Sequence, residues 1–115
     1  MKQYTHFNSG LLLQQFNGDR NSLKIIITEG LRLIPSYATQ LRDACSERNP
    51  DGIQMTAHKI KGGLLSIRSD NAAKIAGEIE KAARDRRTGE ALTLFPVFLT
   101  ELSDVLREME EFVSE

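Results

Sequence analysis

The sequence predicts an all-α fold: an antiparallel four-helix bundle with a short extra N-terminal helix. Three observations predict it. Apolar residues recur at spacings of three and four through most of the chain. No segment alternates apolar and polar residues as a half-buried strand does, and no hairpin dipeptide sits between two such alternations. Glycine and proline gather at a few points and divide the chain into helix-length stretches.

The elements follow in order. A short first helix is expected over Ser9 to Phe16, capped by Asn8 or Ser9 and closed at Gly18. It should cover one end of the bundle. The second helix is expected from about Asn21 to Cys45, with Leu23, Ile27, Ile34, Ala38, Leu41 and Cys45 on its apolar stripe. Pro35 lies inside it and removes one backbone donor, which predicts a kink near Leu31 to Pro35 and not a break. Asn49-Pro50-Asp51-Gly52 is a strong turn signal. The third helix is expected from Pro50 or Asp51 to Arg68, with Ile53, Ala57, Ile60, Leu64 and Ile67 facing the core. The fourth is expected from Asp70 to Arg86, capped by Ser69 or Asp70. Its stripe is Ala72, Ile75, Ala76, Ile79 and Ala83, and Thr88-Gly89 is its terminator. The fifth is expected from Glu90 to Val113, with Phe95, Phe98, Leu102, Leu106, Met109 and Val113 on one face. Pro96 either opens a regular segment there or kinks an early turn. Long amphipathic helices with short connections pack as antiparallel neighbours. Residues 1–115 are expected to form a single domain around one core.

Composition narrows the function classes. The chain is 40% hydrophobic and 27% charged, as a soluble globular domain is. Its 15 basic and 16 acidic residues leave a formal net charge of -1, so no long-range field draws it to nucleic acid or an anionic membrane. Cys45 is the only cysteine, which excludes an internal disulfide and leaves no cysteine-based zinc site. On the buried stripe it reads as inert filling. A reducing cytoplasm is the simplest compartment, and a monomer is expected. The opening MKQYTHFNSG has no apolar signal region, and the runs Leu11–Leu13 and Ile25–Ile27 are far too short to span a bilayer. His6 lies near an end expected to be mobile, has no second histidine or cysteine beside it, and is not expected to bind metal.

The informative segment is Thr56-Ala57-His58-Lys59-Ile60-Lys61-Gly62-Gly63. On a helical wheel, His58 falls about 140° from the centre of the core stripe. Gln54, Lys61, Gly62 and Leu65 share its face. His58 therefore looks onto a groove or solvent. Two adjacent glycines in a helix interior each lose about 1 kcal/mol relative to alanine. Gly62 stands one turn beyond His58, where a missing side chain clears the approach of another protein. Leu65, one turn further, could seat a partner's apolar helix. An ordinary imidazole is largely neutral near pH 7, so its nitrogen can attack the phosphorus of an aspartyl phosphate. Lys61 can offset charge on the phosphoryl oxygens. If the third and fourth helices run antiparallel, Glu80 comes level with His58. There it could accept a hydrogen bond from Nδ1 and direct Nε2 outward, or be an ordinary surface charge. There is no Gly-rich phosphate loop, so ATP binding and kinase activity are not expected.

These residues resemble the histidine-containing phosphotransfer (HPt) domain family of bacterial phosphorelays. The family motif is Ala-His-x-Leu-Lys-Gly, and the chain has Ala57-His58-Lys59-Ile60-Lys61-Gly62. Phe16-Asn17-Gly18-Asp19 looks like the turn into the family's second helix, Pro35 sits where these domains often carry proline, and Ala72 through Glu80 align with the next helix. The resemblance implies phosphorylation of His58, support from Lys61, a cleared approach at Gly62, and a Glu80 side chain bonded to the imidazole. It implies a response-regulator receiver domain or a hybrid sensor histidine kinase as partner, with Mg²⁺ on the receiver's side and no cofactor of the chain's own. A free-standing protein and the terminal module of a hybrid kinase both fit. The expected partner surface is Gln54, Lys61, Gly62, Leu65 and Arg68. Arg68 replaces a glycine common in relatives, and Ala72 a leucine. Arg68 either adds positive charge for an acidic receiver or is only a surface residue at a helix end. The rival reading is a helical docking module without phosphate chemistry.

Overall fold

The computed structural model describes residues 2–115; Met1 lies outside the described residues. Five helices follow one another: α1 Ser9–Gln15, α2 Arg20–Ser46, α3 Pro50–Ser66, α4 Asp70–Arg84 and α5 Thr88–Ser114. α2 packs on α3, α3 on α4, α4 on α5 and α5 on α2, so the four long helices close a ring around one core. There is no strand among the described residues. The molecule measures 43 × 19 × 19 Å, which is the length of a 27-residue helix at about 1.5 Å per residue.

The helix starts follow the sequence closely. Asn8, Asp19 and Asn49 cap α1, α2 and α3, each accepting backbone N–H groups of the first turn. Pro50 occupies the first turn of α3, where its missing donor costs nothing. Ser69 precedes α4 but makes no side-chain cap; its hydroxyl donates instead to the carbonyl of His6 at 2.7 Å. α2 and α5 run unbroken through Pro35 and Pro96.

The helix ends differ from expectation in an instructive way. Each bundle turn has three residues, with an arginine in the middle at positive φ: Arg48 at 51°, Arg68 at 58° and Arg86 at 62°. Arg68 N–H bonds the Leu65 carbonyl and Ser69 N–H the Leu64 carbonyl, the paired bonds of a Schellman motif. The same pair recurs after α2, from Arg48 to Cys45 and Asn49 to Ala44, and after α4, from Arg86 to Ala83 and Arg87 to Ala82. α3 therefore stops at Ser66 and not at Arg68, and α4 at Arg84 and not at Arg86. Thr88 and Gly89 open α5 and do not terminate α4.

The core is apolar throughout. The predicted α3 stripe, Ile53, Ala57, Ile60, Leu64 and Ile67, is fully buried. On α5 the buried line is Ala91, Phe98, Leu102, Val105, Met109 and Phe112, whereas Phe95, Leu106 and Val113 are only half-buried. The register shifts because Phe112 turns toward the N-terminal segment, where Tyr4 and Phe7 pack edge-on against it and stack on each other. Residues 2–8 and α1 thus cover the end of the bundle that holds the α3–α4 turn. His6 is fixed there: its backbone N–H donates to Glu108 at 2.7 Å and its ring pairs with Glu108. It is an anchor of this segment, contrary to the mobile end expected. Cys45 is buried, and burial pushes its thiol up. No helix among the described residues is long and apolar enough to cross a membrane.

Candidate functional site

His58 sits in the middle of α3 on the side away from the buried stripe, and its side chain is 68% exposed. The helix fixes its direction: Ala57 and Ile60, on either side, are completely buried. Three-residue turns make α3 and α4 antiparallel, which brings Glu80 level with His58 from the neighbouring helix. His58 Nδ1 lies 2.9 Å from Glu80 Oε2, and Lys61 Nζ lies 2.7 Å from Glu80 Oε1. One carboxylate therefore holds both groups.

Glu80 is buried, with its side chain only 11% exposed. Burial by itself raises its carboxyl, but hydrogen bonds and charge from Lys61 and His58 outweigh that and hold it below the ordinary carboxylate range. An ionised carboxylate only accepts hydrogen bonds, so Nδ1 carries the proton and Nε2 keeps its lone pair. The ring is then held in one tautomer, with its nucleophilic nitrogen on the far side from Glu80.

Gly62 has open space where a Cβ would stand, one turn above His58. Gly63 does different work: a Cβ there would meet Ile34 at 3.5 Å, so it lets α3 approach α2. Leu65 is half-exposed on the His58 face, and Gln54 stands one turn before the histidine. Gln54, Gly62 and Leu65 thus lie on the His58 side of α3. Arg68 does not join them. It lies ten residues along, about 15 Å down the axis, in the left-handed turn after α3, beside the N-terminal segment and paired with Asp70 at 3.5 Å.

The sequence reading missed the α2 wall. A groove between α2 and α3 is lined by Ile26, Gly30, Leu33, Tyr37, His58 and Gly62, with Glu29 on its rim. Ile26, exposed on α2, lines the end of the groove far from His58, toward the α3–α4 turn. No group of three or more metal-binding side chains occurs among the described residues.

Neither a curated protein nor a solved structure matches this chain. A family model does: the Hpt domain matches residues 27–111, which include the histidine and its carboxylate partner. Histidine phosphotransfer in two-component signalling is what that family does, and its modules carry phosphate and are not kinases. An exposed, tautomer-fixed imidazole in a helical bundle and a match over most of the chain agree, and the chain belongs to the Hpt domain family.

Proposed function

We propose that this protein carries a phosphoryl group on His58, accepting it from the aspartyl phosphate of one receiver domain and passing it to the aspartate of another. The observation that carries this reading is the exposed His58 ring, fixed at Nδ1 by a buried carboxylate and standing beside an uncovered glycine. In the transfer, the Nε2 lone pair forms a bond to phosphorus as the bond from phosphorus to the aspartyl oxygen breaks. The aspartate leaves as a carboxylate. Positive charge develops on the imidazole while Nδ1 keeps its proton, and the Glu80 carboxylate stabilises that charge where it forms. No base has to remove a proton, so positioning and charge supply the catalysis. Mg²⁺ belongs to the receiver's side, and this chain contributes no cofactor.

Lys61 would balance charge on the phosphoryl oxygens. Its ammonium would do so from its seat on Glu80, beside the ring. Gln54, Gly62 and Leu65 of α3 with Leu33 and Tyr37 of α2 would form the docking face. The partner is a receiver domain or a hybrid kinase, met in the cytoplasm by a monomer that contacts neither nucleic acid nor membrane.

Incubation with a broad panel of phosphorylated receiver domains tests the reading. Acid-labile, base-stable label is expected on His58, and His58→Gln should lose all of it while keeping its helical circular dichroism. Binding without label, unaffected by His58→Gln, would establish a docking module instead.

A further inference from the structure

Glycine is the poorest helix former after proline, and most of the rest of α4 is alanine, lysine, glutamate and arginine, which suit a helix well. Gly77 breaks that pattern one turn before Glu80. It lies half-buried in the middle of the helix. A Cβ built on it meets one neighbour, the Cδ of Lys61, at 3.4 Å. The Lys61 stem therefore lies across α4 directly over Gly77 before its ammonium reaches Glu80 Oε1 at 2.7 Å. Lysine stems often cover a neighbouring helix in this way while the ammonium stays at the rim. Here the path leaves room at position 77 for nothing longer than a methyl. An alanine methyl would touch the stem at ordinary contact distance; any longer side chain would occupy the stem's track.

We propose that Gly77 is a positioning residue for the His58 site: its smallness, which a methyl would still satisfy, lets Lys61 lie across α4 and grip Glu80 at one oxygen while the other oxygen holds His58 Nδ1. The inference rests on the reading of His58 as the phosphoryl acceptor for its importance to transfer, but not for the geometry itself. Fixing both oxygens stops the carboxylate from rotating, and the imidazole inherits that orientation. Gly77 touches neither the ring nor an incoming phosphoryl group, so it acts through Lys61.

The test compares Gly77→Ala, Gly77→Gln and Gly77→Leu, alone and combined with Lys61→Ala, in the full chain. The Glu80 carboxyl is titrated by carbon NMR, the His58 tautomers are read from ring nitrogen shifts, and transfer is followed from a phosphorylated receiver. Gly77→Ala should keep the wild-type Glu80 midpoint, because its methyl only touches the Lys61 stem. Gly77→Gln and Gly77→Leu should move the Glu80 midpoint upward toward that of Lys61→Ala, mix the His58 tautomers and slow transfer several-fold. In the Lys61→Ala background they should change nothing further. Wild-type Glu80 titration in both larger variants would overturn the proposal, as would equal shifts with and without Lys61. Loss of the fold in both would overturn it too, because position 77 would then serve stability. A wild-type protein that takes no label at His58 removes the phosphocarrier reading, and the Glu80 titration still decides the role of Gly77.

Discussion

Glu80 is the residue on which the site turns, because it is a buried carboxylate with two cationic or potentially cationic partners and one fixed position on α4. Its amide counterpart separates shape from charge. Glu80→Gln keeps an oxygen that can accept from Nδ1, but loses the charge that would stabilise the phosphorylated imidazole and hold Lys61. Transfer to His58 should slow on the order of tenfold, the scale seen when a histidine loses an orienting partner; Glu80→Ala should slow it more. Stability gives an independent reading. The folded-state carboxyl is depressed from its ordinary 4.5. Its contribution to stability is therefore fully present above that value and is lost as pH falls through the lower folded value. Urea midpoints measured from pH 6 to pH 3 should show wild type losing its advantage over Glu80→Gln in that acid window. A constant difference across the range would contradict the assignment.

At the scale of elements, the three arginine turns explain both what the sequence made legible and what it concealed. Helix starts were readable because Asn8, Asp19 and Asn49 are side-chain caps with a chemical signature. The α3 stripe was readable in full because a four-three spacing allows one buried face. The ends of α3 and α4 were not, because the left-handed stop there is carried by Arg68 and Arg86 and not by glycine. An arginine reads as helix continuation, so the sequence points two residues past the true ends of α3 and α4. The α5 register and the α2 wall of the groove were hidden for another reason: Phe112 and Ile26 take their places from elements distant in sequence. Position 68 takes a left-handed conformation that glycine adopts without strain. Arg68→Gly should stabilise the protein by up to about 1 kcal/mol, since it removes left-handed strain at some cost in unfolded-chain entropy. It also deletes a buried Nε–H that has no partner, and loses only a weak exposed pair with Asp70. Denaturant unfolding checks this; a loss of stability would show that the arginine side chain holds the turn.

For the whole molecule, the N-terminal segment is a clasp across one end, set apart from the phosphotransfer chemistry. Its apolar part is Tyr4 and Phe7 on Phe112. Its polar part is Asn8 N–H on the Arg68 carbonyl, Ser69 on the His6 carbonyl, and the His6 ring among acidic groups of α5. The hydrogen bond to Glu108 raises the His6 pKa; burial opposes it, and the charges of Glu108, Glu101 and Asp104 add to the rise. A raised folded-state value means that the protonated ring stabilises the clasp. That contribution is complete below the ordinary histidine value of 6.5 and fades as pH climbs through the higher folded value. Amide exchange at residues 4–12 should therefore accelerate above pH 7 beyond its intrinsic base catalysis, and His6→Gln should remove the excess. His58 lies eight residues before the end of α3, about 12 Å from the clasped end. His6→Gln should accordingly leave the rate of label transfer to His58 unchanged at pH 7. Transfer that tracks the opening of the clasp would mean instead that the end cap and the histidine are mechanically coupled through α3.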